Sequence, residues 1–168
     1  MGVTFWLEPN KGETIDPASL GLTDFKHFCD LVGAGMPDHR PIQELVDLAM
    51  ERGLALDSLV RVTSVPVDLD FAAQLMGELS EDEQAETWEE LRVHNAWAEA
   101  CWQDCGEFSQ VLITWQTTLA ASTADSFDVY FDQQPVRRVM QNAVECLLVL
   151  VNVAVELGAT KVRMCAEW

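Results

Sequence analysis

The feature that most constrains this chain is the stretch from Cys146 to Val155, CLLVLVNVAV, which is apolar almost all round a helical wheel. A helix without a polar face must be surrounded by other elements. Pro135 stands well for a helix start and Gly158 for a C-terminal stop, so the sequence predicts a helix over Pro135–Leu157. Glu145, Asn152 and Glu156 interrupt the segment too often for the roughly 18 apolar residues of a membrane span. The expectation is therefore a central, buried helix, and the rest of the chain has to cover it.

The covering elements can be read from period and punctuation. Val3–Leu7 is short and apolar and ends in turn residues, which suggests a first strand. Thr23 stands where it can cap a short helix carrying Phe25, Phe28, Cys29 and Val32, stopped near Gly33. Pro41 suits the first position of a second helix with Ile42, Leu45, Val46 and Ala49 on one face and Gly53 after its end. Val60–Thr63 alternates like a half-buried strand before Pro66, and Phe71, Leu75 and Leu79 mark another short helix. Ser80-Glu81-Asp82-Glu83 is a capping box, and the helix behind it is expected to run to about Cys105 and stop at Gly106. The β-rich Val111–Trp115 and the alternating Phe127–Phe131 are strand candidates, and Lys161–Trp168 alternates as a final strand. The sum is an α+β fold in one globular domain over residues 1–168. Several helices pack on a small antiparallel sheet, with the long buried helix near the C-terminus.

Charge adds a second constraint. The chain carries 28 Asp and Glu against 10 Lys and Arg, a formal net charge of −18. Fifteen of the acids lie between Val62 and Val136 and only Arg92 opposes them, so −14 of the total is regional. Such a surface repels phosphate, which excludes direct nucleic-acid binding. Three explanations fit it: a solvated face that keeps the chain soluble, an adaptation to high salt, or a patch that steers a basic partner. That partner could be a cationic protein or toxin, or a nucleic-acid-binding protein whose site the patch imitates.

Motifs for chemistry are scarce. On a helix continuing to Cys105, the residues His94, Ala98, Cys101 and Cys105 fall within about 60° of one another with Glu90 beside them. His94, Cys101 and Cys105 would form a ligand set that zinc accepts. Leu91, Trp97 and Trp102 border the same face, however, and Cys29, Cys146 and Cys165 are isolated, so no second ligand pair completes a site. The expectation is no metal and no cofactor. His27 and Cys29 are two apart and point to different faces, and His94 and Cys101 are two turns apart, so no Cys–His pair is set up for nucleophilic catalysis. His39 reads as a loop or cap residue between Pro37 and Pro41. No phosphate loop or calcium loop is present. Trp88 and Trp102 read as core residues. The five cysteines are odd in number and follow an opening segment without a basic or long apolar run, which suggests reduced thiols and a cytoplasmic location.

The functional expectation is a non-enzymatic protein-binding module that turns residues 68–107 toward a basic partner, through Glu81, Asp82, Glu83, Glu86, Glu89 and Glu90, with Asp125–Asp132 as an extension of that surface. A small acidic chain without catalytic motifs fits immunity, antitoxin or regulatory proteins by composition alone. The alternative is a small enzyme or ligand-binding protein with a pocket between the sheet and the 135–157 helix.

Overall fold

The computed structural model describes residues 3–22, 25–34, 40–121, 130, 131 and 133–168. In chain order its elements are β1 (Thr4–Pro9), α1 (Lys26–Val32), α2 (Gln43–Arg52), α3 (Asp57–Val60), β2 (Val62–Thr63), α4 (Leu69–Leu75) and α5 (Glu81–Ala100). They are followed by β3 (Gln103–Asp104), α6 (Cys105–Ala121), β4 (Tyr130–Phe131), β5 (Gln134–Pro135), α7 (Val136–Glu156) and β6 (Lys161–Glu167). Short 3-10 turns stand at Pro17–Leu20 and Met76–Glu78.

Strand β6 is the hub. On one edge it pairs antiparallel with β1, from Thr4 opposite Glu167 to Pro9 opposite Val162. Two short strands share its other edge: β2 runs parallel beside Met164 and Cys165, and β3 runs antiparallel beside Val162 and Lys161. Strands β4 and β5 form a separate two-stranded ladder. The alternation of β6 sends Val162, Met164 and Ala166 into the main core, but Arg163 and Cys165 on the opposite face are buried as well. The sheet is covered on both sides.

Helices α1, α6 and α7 cover the first face. Their fully buried Leu31, Leu112, Trp115, Leu147, Leu150 and Val151 join Leu7 and Met164 in one cluster. The C-terminal end of α5 covers the second face, where Arg163 Nη1 donates to the Ala98 carbonyl at 3.1 Å. Helix α7 buries nine residues but leaves a stripe of Glu145, Val149, Asn152, Val155 and Glu156 in water. It is central, as expected, yet amphipathic and not buried all round. By length and composition alone α7 could cross a membrane. Its packing against α6, α1 and β1 makes it the core helix here.

Other differences have local causes. The helix behind the capping box ends at Ala100 and does not reach Cys105. Gln103 and Asp104 pair with β6, and the Gln103 Nε2 donates to the Ser58 carbonyl at 3.0 Å. Asp104 Oδ1 then accepts the amides of Gly106 and Glu107 at 2.8 and 3.0 Å, which starts a new helix. Val111–Trp115 is accordingly helix and not strand. Cys105, Phe108, Leu112, Trp115 and Leu119 form a buried stripe at helical spacing, and that period overrides the β-propensity of the run. Val60 closes α3, leaving only Val62 and Thr63 as strand. Ile42 caps α2, so Pro41 precedes the helix. The proposed cap at Thr23, the loop residue His39 and most of Phe127–Phe131 lie outside the described residues.

Candidate functional site

The acidic region is built on α4 and α5. Ser80 Oγ accepts the Glu83 amide at 3.4 Å, and Glu83 Oε2 accepts from the Ser80 amide at 2.9 Å and its hydroxyl at 2.6 Å. These bonds, the hydroxyl's first, hold the Glu83 carboxyl below its ordinary value. The box fixes the start of a 20-residue helix in which only Ala98 is fully buried. Its C-terminal half is anchored to the segment after β2. His94 Nε2 lies 3.0 Å from the Val65 carbonyl, and the Asn95 side-chain amide both accepts from and donates to the Val67 backbone at 2.9 Å. Trp97 Nε1 donates to the Val62 carbonyl at 3.4 Å. The six carboxylates singled out in the sequence, Glu81, Asp82, Glu83, Glu86, Glu89 and Glu90, are all exposed. Glu83 is engaged in the cap, and Glu89 lies 3.7 Å from Arg92.

Helix α4 continues this surface. Asp68 Oδ1 accepts the amides of Asp70 and Phe71 and starts the helix. Ala72 and Met76 are buried, while Phe71, Leu75 and Leu79 are exposed. The apolar spacing read from the sequence therefore faces water. Asp125, Asp128 and Asp132 lie outside the described residues.

Beneath α5 is a buried polar group. Arg163 Nε and Nη2 both donate to Glu8 Oε2 at 2.8 Å, and the guanidinium lies 4.6 Å from the centre of the Trp102 ring. Burial disfavours the Arg163 cation, but the hydrogen bond and charge of Glu8 outweigh it and keep its pKa raised. Cys165 Sγ stands 3.7 Å from the same Glu8 oxygen, and burial first, then the Glu8 carboxylate, pushes the thiol up to about 12. Burial raises Cys101 to about 11. All five cysteines are buried. Cys101 and Cys165, held protonated in this way, are poor nucleophiles.

The residues that suggested a zinc set do not share one helical face. His94 is bound to the Val65 carbonyl and Cys101 caps the end of α5. Cys105 opens α6 in the main core, its sulfur 3.9 Å from the Ala159 carbonyl. Among the described residues no group of three or more His, Cys, Asp or Glu side chains is arranged to hold a metal ion. Trp88 and Trp102, expected in the core, are half-buried. Trp115 is the fully buried one, its Nε1 donating to the Ala55 carbonyl at 2.7 Å. The sequence reading missed the Glu8–Arg163 pair, because its partners stand 155 residues apart.

A surface cleft of about 350 Å³ lies beside the start of β1, lined by Val3, Phe5, Pro17, Leu22 and Phe25 with Thr4, Asp16 and Ala18. It takes no residue from α7. The seam between the sheet and α7 is occupied by fully buried Val144, Leu147, Val151 and Met164. Comparison with known proteins adds no relative: no family model matches the chain, and neither the curated proteins nor the solved structures give a match.

Proposed function

We propose that the protein is a non-enzymatic protein-binding module that presents the acidic surface of residues 68–107 to a basic partner, in a cytoplasmic setting. One observation carries the reading. Helix α5 is a well-capped 20-residue helix that buries one residue fully, while its first three turns expose Glu81, Asp82, Glu86, Glu89 and Glu90. A helix that contributes so little to the core yet has a fixed start is suited to presenting side chains. Carboxylates at such density raise association rates with cationic partners and make binding salt-sensitive.

The ligand-binding alternative has weaker support. The cleft beside β1 offers one carboxylate, Asp16, and that side chain already accepts the Ala18 amide at 2.9 Å. Affinity capture tests the proposal. The wild type should retain a basic protein at about 50 mM NaCl and release it near 500 mM, and Glu86→Lys/Glu89→Lys/Glu90→Lys should fail to retain it. A partner set that is the same for both chains at both salt concentrations overturns the reading. Glu83 is left unaltered because its carboxylate holds the helix start.

A further inference from the structure

Helix α4 turns an apolar row outward. Phe71 is 58% and Leu75 65% exposed, one turn apart on α4, and Leu79, 39% exposed, follows beyond the 3-10 turn Met76–Glu78. The adjacent row, Ala72 and Met76, carries the burial. Surface helices ordinarily turn their large apolar side chains inward, and contiguous exposed ones mark interaction sites. Carboxylates frame the row, with Asp68 and Asp70 at its start and Glu78, Glu81 and Asp82 at its end, all exposed. Between Val62 and Val136 Arg92 is the sole Lys or Arg.

The frame selects the occupant. Nucleic-acid phosphate and anionic lipid are repelled by it. A second copy of a chain with net charge −18 would bring two such frames together. A segment with apolar side chains at helical spacing, flanked by Lys and Arg, matches both the row and its rim. We infer that Phe71, Leu75 and Leu79 form the anchor row of a docking site for an amphipathic basic helix of a partner protein. This rests on the acidic-surface reading above and adds to it the partner's shape and the residues that hold it.

Calorimetric titration of the full chain with three synthetic probes tests it: a Leu/Lys peptide with Leu on one helical face, a scrambled peptide of the same composition, and decalysine. The facially amphipathic peptide should bind about tenfold more tightly than the scrambled one, and Phe71→Ser/Leu75→Ser should remove that advantage without changing decalysine binding. Because both side chains are more than half exposed, the serine variant should stay folded and melt cooperatively within a few degrees of the wild type. An amphipathic peptide that binds no better than its scramble, or that ignores the serine changes, overturns the inference. Decalysine binding lost in Glu86→Lys/Glu90→Lys would in that case still uphold the acidic surface. A wild type that binds no cationic peptide at about 50 mM NaCl overturns both. Wild-type binding to phosphatidylserine vesicles that the serine variant loses would also overturn the inference.

Discussion

Arg163 shows how tightly a single residue can be held in this fold. Its guanidinium gives two hydrogen bonds to one Glu8 oxygen and one to the Ala98 carbonyl, and it lies against Trp102. Removing the counter-charge strands a buried cation, so Glu8→Ala should cost about 3 kcal/mol in urea unfolding, with Arg163→Lys also destabilising because an ammonium cannot reproduce the fork. The neighbouring thiols make a separate pH prediction. Folding raises Cys101 to about 11 and Cys165 to about 12 from an ordinary value of 9.0. The folded state therefore keeps these protons where the unfolded chain loses them. Their contribution is complete below pH 9 and declines as pH rises from about 9 toward 12. The urea midpoint should fall across the accessible part of that window, and Cys101→Ala/Cys165→Ala should flatten the fall. An unchanged slope would refute it. Glycines separate in the same way: Gly33 and Gly53 both have positive φ, at 70° and 64°. A Cβ at Gly33 would overlap the Arg40 backbone, whereas Gly53 faces open space. Gly33→Ala should thus cost roughly 2 kcal/mol or more and Gly53→Ala about 1 kcal/mol.

At the scale of elements, α5 and α7 are helices of nearly equal length with opposite roles. Nine residues of α7 are buried against one of α5, so local opening should differ sharply. Amides of Glu86–Arg92 should exchange orders of magnitude faster than those of Leu147–Val151. Ser80→Ala, which removes the cap, should cost about 1 kcal/mol and loosen the first of these segments only. Equal protection in the two helices would contradict the packing described. The capping box, α7 and β6 were all legible in the sequence because caps and periods are local signals. Gly106 signals a helix stop, but the true place of the break between α5 and α6 was not legible. It depends on Gln103 and Asp104 pairing with β6, nearly sixty residues away, and on the Asp104 carboxylate turning to two amides. Helix α6 was misread because a run of Val, Leu, Ile and Thr suits a strand, and only the buried i, i+4, i+7 stripe of Phe108, Leu112 and Trp115 decides otherwise. Of the candidate surface, the carboxylates could be counted from the sequence. The outward turn of Phe71 and Leu75 could not, since spacing alone does not say which side of a short helix the protein covers.

The whole molecule carries a net charge of −18, and stability and binding should respond to salt with opposite signs. Twenty-eight carboxylates outnumber ten bases, and pairs such as Lys26–Asp30 at 3.9 Å and Arg92–Glu89 at 3.7 Å lie at or near the surface, where each contributes little. The excess charge repels itself across the α4–α5 surface. Screening shortens that repulsion from a range of about 30 Å at 0.01 M salt to about 8 Å at 0.15 M. The melting temperature should therefore rise between about 10 and 300 mM NaCl and then level off, while affinity for a basic partner falls over the same range. Glu86→Lys/Glu89→Lys/Glu90→Lys separates the two effects: it should melt higher than the wild type in dilute buffer and bind the partner less well there. A chain whose acidity serves high salt behaves otherwise. It unfolds in dilute buffer and keeps gaining stability beyond 1 M, with no loss of function on charge reversal at α5. If the triple variant matches the wild type in both melting and binding at low salt, the carboxylates of α5 are only a solvated face, and the docking role assigned to this surface fails with them.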